Sequence, residues 1–172
     1  MQLKDLLSLD EWVVFEKTIT ERFGLDANVF DPDGIRITNY KNWINRLCPK
    51  IKANDKGQSF ICAVAHQNIA VLAKQMQKPV IEECDAGLTK IVVPIFLDNE
   101  FLGAACACGM LIDDGDVESF LINKITGIDE DVIEALSVSI PTITTEKAES
   151  AVQFVEKALD TVIKNFKENP KP

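Results

Sequence analysis

Between Ser8 and Phe23 the apolar positions Trp12, Phe15, Ile19 and Phe23 recur at steps of three and four, which places them on one side of a helix. Ser8 and Glu11 stand at the spacing of a capping box, in which serine and glutamate side chains each satisfy a free backbone N–H of the other's residue. Gly24 supplies a left-handed stop. The stretch Ser59 to Gln77 repeats the pattern with Ile61, Val64, Ala65, Ile69, Leu72 and Met76 along one side, and Pro79 ends it. Elsewhere the pattern changes to short apolar runs. Thr89 to Leu97 and Glu100 to Leu111 are rich in apolar and β-branched residues and meet at Asp98-Asn99, which predicts a buried hairpin.

The remaining segments fill in around these. Asn28 to Asp31 and Ile35 to Thr38 are predicted as two short strands joined by Asp31-Pro32-Asp33-Gly34, where Pro32 presets φ and Gly34 accepts a positive φ. A short helix is expected from Asn42 to Cys48, ahead of Pro49, and a strand or edge segment from Val80 to Cys84. Asp116 to Ile125 and Glu130 to Val138 are expected as short helices separated by Gly127, with a break at Ile140-Pro141. Thr144 to Lys167 forms a long last helix. The order is helix, hairpin, helix, three strands, helices, which is an α+β class with an antiparallel sheet and a long helix at each end. Residues 1–172 are expected to form one domain: a helix at about 8–23, a core at about 25–143 and a terminal helix at about 144–167.

In that terminal helix Ala148, Val152, Val155, Leu159, Val162 and Phe166 are separated by four, three, four, three and four residues, a heptad seam. Such a seam serves either to lay the helix on its own sheet or to pair it with a second copy. The second use makes the chain a homodimer that passes a conformational change along the helix, into an output domain if one follows.

Composition narrows the function classes. Apolar residues make up 47% of the chain and charged residues 26%, so a packed core is expected, with disorder confined to the end Asn169-Pro170-Lys171-Pro172. The formal charge is −9, and no basic patch able to neutralise nucleic-acid phosphates stands out. The same balance disfavours anionic membranes, and no apolar run has the length of a span. Lys4, Asp5 and Asp10 interrupt the first leucines, so no signal peptide is read and a cytoplasmic chain is expected.

The candidate chemistry is sulfur. The five cysteines are Cys48, Cys62, Cys84, Cys106 and Cys108, an odd number in a chain read as cytoplasmic, which argues against a disulfide framework. Cys62 and His66 are four apart on a predicted helix and share a face, and Cys106 and Cys108 are two apart on a predicted strand and share another. Converging thiols and an imidazole hold transition metals. No C-x-x-C pair occurs, however, and free cysteines also serve as small buried hydrophobes, which is what spacing alone favours. Cys84-Asp85-Ala86-Gly87-Leu88 reads as a turn able to present a thiol and a carboxylate to a pocket. Enzymatic readings fare worse: Cys62 and His66 as nucleophile and base would point the same way along one helix. No Gly-rich phosphate loop, serine elbow or H-E-x-x-H motif is present.

Taken in order, Leu47-Cys48, Gly57-Gln58-Ser59-Phe60-Ile61-Cys62, Ala65-His66, Cys84-Asp85-Ala86-Gly87-Leu88, Pro94-Ile95, Phe101-Leu102-Gly103 and Cys108-Gly109 resemble the PocR sensory domain family. The resemblance runs from about Ser8 to the final helix. It implies a PAS-like fold, a place ahead of signalling output domains in prokaryotes, and sensing of small molecules such as simple alcohols and diols. It marks Cys48, Cys62, His66, Cys84 and Cys108 as motif positions; Asp85, on the turn after Cys84, and Cys106, where the chain departs from the family pattern, are further candidates for ligand contact. Members of that family often carry glycines just before the last cysteine, where this chain has Cys106 and Ala107. Two readings therefore stand side by side. In one, the pocket binds an organic ligand, with Asp85 and His66 hydrogen-bonding a hydroxyl. In the other, Cys48, Cys62, His66, Cys84 and Cys108 hold zinc or an iron–sulfur cluster.

Overall fold

The structure is a computed structural model that describes residues 1–169; residues 170–172, which belong to the Pro-rich end read as disordered, lie outside the described residues. After a short helix α1 (Leu3–Leu6), helix α2 (Leu9–Phe23) starts at Ser8, whose Oγ accepts from Glu11 N while the Glu11 carboxylate accepts from Ser8 N at 2.8 Å. It stops at Gly24, in the left-handed conformation. The chain then enters strand β1 (Asp26–Phe30). Helix α3 (Leu47–Lys52), one turn of α4 (Asp55–Gly57) and a π-helical turn (Gln58–Ala63) lead into α5 (Val64–Met76). Strands β2 (Val80–Glu83), β3 (Thr89–Leu97) and β4 (Glu100–Cys108) follow, then β5 (Leu111–Ile112), α6 (Ser119–Thr126), α7 (Glu130–Ser137), β6 (Thr142–Ile143) and α8 (Thr145–Glu168).

Four strands form one antiparallel sheet in the order β1-β4-β3-β2, so the fold is α+β with a PAS-like sheet flanked by helices. The β3–β4 hairpin closes at Asp98 and Asn99, both at positive φ, the geometry that matches strand twist in a two-residue turn. Side chains alternate between the two faces of the sheet. On one face Ala27, Val29, Ile91, Val93, Ala105 and Ala107 pack with Trp12 and Ile19 of α2 and Val155 and Leu159 of α8. On the other, Val92, Ala104 and Cys106 pack with Ala65, Ile69 and Ala73 of α5. A third cluster, with Leu47, Ile51, Ile61, Leu88, Ile122 and Ile133, joins α3, the π turn, α6 and α7 to the loop between β2 and β3.

Several expectations shift. Ile35 to Thr38 is not a strand: a single bridge, Phe30 to Arg36, remains. The outer edge of β1 is shared: Ile37 N donates to Val29 O at 3.0 Å, while the buried Glu16 of α2 accepts from Val29 N at 2.8 Å and from Thr38 Oγ1 at 2.6 Å. The helix expected at Asn42 to Cys48 lies at Leu47–Lys52, because Pro49 falls in its first turn, where the N–H that proline lacks has no partner within the helix. β4 ends at Cys108, since Gly109 turns the chain at φ +104; Leu111–Ile112 then pairs in parallel with β6. The small residues of β4 do not all leave room. A Cβ on Gly103 would lie 2.1 Å from Phe30 O, so this glycine permits close approach of β1, and Ala104 to Ala107 fill the two cores.

The heptad seam of α8 faces inward. Ala148, Val155 and Leu159 are buried, and Val152, Val162 and Phe166 pack half-buried against the same cluster. Among the described residues no helix is long and apolar enough to cross a membrane.

Candidate functional site

A cavity of about 140 Å³ lies at the end of the sheet where the second and third clusters meet. This is comparable to an engineered cavity that admits benzene. Its helical wall is a stripe of Gln58, Cys62 and His66, four residues apart, with the π turn at its start. Wide turns of this kind recur at functional sites because they re-aim the side chains they carry. Cys48 arrives from α3 and is fixed by Asn45. The Asn45 side chain accepts from Cys48 N at 2.8 Å and donates to Gly109 O at 2.7 Å, which ties α3 to the end of β4. Gly109 allows this approach, since a Cβ there would lie 2.9 Å from Ile44 Cγ1. Cys84, at the end of β2, and Cys108, at the end of β4, complete the sulfur positions on the wall.

Cys48, Cys62, His66, Cys84 and Cys108 thus line one cavity. Cys106 sits behind it, buried, with Sγ 3.7 Å from His66 Nδ1. Asp85 does not join them: it is exposed on the turn after Cys84 and is absent from the wall, because Gly87 N–H closes that turn on Cys84 O and leaves Asp85 at its outer corner. The hydroxyl contact expected of Asp85 therefore has no geometric basis.

The sheet supplies polar groups that the sequence reading did not single out. Asp26, Asn28 and Lys90 line the cavity and are 8%, 6% and 7% exposed. The register explains why they meet: Asp26 pairs with Cys108, which pairs with Lys90 on the next strand, so the three form a row across β1, β4 and β3. Asn28 lies in the next row, opposite Cys106. Asp26 Oδ1 and Asn28 Oδ1 are buried without a hydrogen-bond donor. The signal was present in the pattern. Polar residues alternate with Ala27 and Val29 in β1, and Lys90 is the one charged residue in Thr89–Leu97.

Phe30 stacks on His66 with ring centroids 3.7 Å apart, and Trp43, 39% exposed, lies at the outer wall with Lys52 Nζ 5.5 Å from its ring.

The electrostatics follow from burial. Desolvation, helped by the positive charges of Lys90 and Lys52, pushes His66 down to about 3, so the imidazole is neutral at ordinary pH. Burial raises the thiols of Cys48 and Cys62, and pushes Cys106 up to about 12 and Cys108 up to about 11. These four thiols keep their protons near neutrality. Asp26 is also raised, by burial, against the pull of Arg36, Lys52 and Lys90. For Lys90, burial opposes the ammonium and the thiolate forms of Cys108, Cys106, Cys84 and Cys62 favour it, with the balance above the ordinary lysine range.

A metal ion needs ligands that converge. Among the described residues no three His, Cys, Asp or Glu side chains are arranged to hold one, although five candidate ligands share the cavity. All five cysteines are free.

Comparison with known proteins now gives the cavity its context. The family model described as the sensory domain found in PocR matches residues 5–166. The chain belongs to the PocR family. No curated protein and no solved structure matches it. The matched span contains every residue of the cavity wall, so the wall belongs to the PocR domain itself. The role that family membership carries is sensory, in signal transduction.

Proposed function

We propose that this PocR domain binds a small organic molecule in the cavity between the sheet and α5 and relays its presence to the terminal helices, without catalysing a reaction. The observation that carries the reading is the pairing of a cavity of about 140 Å³ with buried acceptor oxygens, Asp26 Oδ1 and Asn28 Oδ1, that have no donor. A bound ligand would satisfy Asp26 Oδ1 and Asn28 Oδ1, whose desolvation is otherwise uncompensated. Simple alcohols, diols and related metabolites have the right size. The raised thiols and neutral His66 support binding over catalysis, because a buried, protonated thiol is a weak nucleophile.

A relay follows from the sheet's alternation. Residues that face the cavity alternate along each strand with Ala27, Val29, Ile91 and Ala107, which face α2 and α8. Glu16 links α2 to Val29 and to Thr38, so a ligand drawing on β1 would pull on α2 through a buried hydrogen-bonded carboxylate. The reading keeps a homodimer through α8 and a following output domain as recipients of that movement. Since the heptad seam faces the chain's own core, the dimer contact falls to the rest of the α8 surface. It also keeps the domain in the cytoplasm, where its five free cysteines would stay reduced.

The second reading, zinc or an iron–sulfur cluster, is favoured by the four cysteines and His66 on one cavity wall and opposed by their lack of convergence. One preparation separates the two. Protein purified without oxygen is analysed for metal and visible absorption, then screened by thermal shift against small alcohols, diols, acids and amino acids. Ala63→Phe, which fills the cavity from the half-buried end of the π turn, is the control. The ligand reading expects no stoichiometric metal and a rise in Tm that Ala63→Phe removes. A stoichiometric metal lost in Cys84→Ala, or a Tm rise that Ala63→Phe leaves intact, overturns it.

A further inference from the structure

The cavity wall holds an ammonium that no hydrogen bond or ion pair engages among the described residues. It is that of Lys90, which is 7% exposed. The Phe30 ring lies 5.9 Å from its Nζ, at the outer limit of a cation–π contact. Lys52 brings a second positive charge to the same wall, and Asp26 is the one acidic residue there. In a chain of net charge −9, this pocket is locally cationic. A buried ammonium without a partner is costly, and the cost is recovered when an anion enters.

The other end of the row has the opposite need. Asp26 Oδ1 and Asn28 Oδ1 are acceptors without donors. Asp26 and Lys90 flank Cys108 on neighbouring strands, so their Cα atoms lie about 10 Å apart, two strand spacings. A molecule lying over Cys108 would reach both. A diol would satisfy Asp26 and Asn28 and leave Lys90 unpaired. A plain fatty acid would do the reverse.

We propose that the cavity takes a short carboxylic acid that also carries a hydroxyl or ammonium group, with its carboxylate on Lys90 and its donor on Asp26 and Asn28. This rests on the reading of the cavity as the ligand site and adds the charge of the ligand.

Three-carbon probes test it by calorimetry at pH 7.5 and low salt: lactate and alanine carry both groups, propionate only the carboxylate, and 1,2-propanediol only hydroxyls. Lactate or alanine is expected to bind at least tenfold more tightly than propionate and 1,2-propanediol. Lys90→Met should weaken that acid at least tenfold and 1,2-propanediol by a clearly smaller factor, while Lys90→Arg retains most of the acid binding. Removing an unpaired buried charge relieves a cost, so Lys90→Met is expected to fold, which circular dichroism checks. Should 1,2-propanediol bind as tightly as the acids, the charge assignment fails while the cavity stands as a ligand site. Unchanged acid binding in folded Lys90→Met, or no heat from any of the four probes, rejects the proposal as well. The wider reading is judged separately, by the thermal-shift screen and its Ala63→Phe control.

Discussion

His66 shows how far its surroundings reset a single side chain. It is buried against Phe30, close to Cys106, with Lys90 and Lys52 as the charges acting on it. Burial first, and then these charges, disfavour a second proton, so its native pKa falls to about 3 from an ordinary 6.5. The consequence is a stability that depends on pH. Above pH 6.5 both folded and unfolded chains hold neutral imidazole. Below it the unfolded chain takes up a proton that the native state refuses, and stability falls until about pH 3. Glu16 and Asp26, raised by burial, act in the opposite sense, so the comparison must be with a variant. Urea unfolding of wild type and His66→Gln between pH 7.5 and 4.5 isolates the effect. The wild type should lose about 1.4 kcal/mol more per pH unit below 6.5 than the variant. Parallel curves would mean that His66 accepts its proton in the folded state.

At the level of elements, the terminal helix carries the clearest test. Its heptad seam is occupied by the sheet, with Val155 and Leu159 each 3% exposed. Val155→Asp and Leu159→Asp together would therefore bury carboxylates in the main core rather than separate a pair of subunits. The double variant should lose its cooperative thermal transition by circular dichroism, at a cost of about 4 kcal/mol or more. A folded variant with an altered oligomeric state by light scattering would show that the seam serves a second copy.

The same helix marks what could be read in advance. Its boundaries, those of α2 and the β3–β4 hairpin were legible because caps, period and turn residues are local signals. The strand expected at Ile35 to Thr38 is reduced to a bridge, with the Val29 N–H taken by Glu16, a partner from a different element that no local pattern reports. The π turn was equally hidden, since its sequence is that of an ordinary helix. In the site, the resemblance to the PocR domain, and not the spacing by itself, marked the cysteines and His66 that line the cavity, whereas Asp85 on its exposed turn lies off the wall. Asp26, Asn28 and Lys90 became visible only once the register aligned three strands.

Across the whole molecule, one layer of sheet separates the cavity from the helices at both ends of the described chain. The cavity is walled by α3, the π turn and α5 on one side of that layer, while α2 and α8 lie on the other. Under the proposed relay, a change in the row Asp26–Cys108–Lys90 would pass to the opposite face through its neighbours Ala27, Ala107 and Ile91, which are buried there. That arrangement suits the sensory role of a PocR domain.

The most direct measurement of that claim is an amide ¹H–¹⁵N spectrum of the described domain titrated with lactate, alanine and 1,2-propanediol. The account predicts saturable shifts centred on Cys62, His66, Lys90 and Cys108, with smaller shifts at Val29, Glu16 and Val155 across the sheet. Shifts centred away from the cavity, or a spectrum that none of the three probes changes, would contradict it.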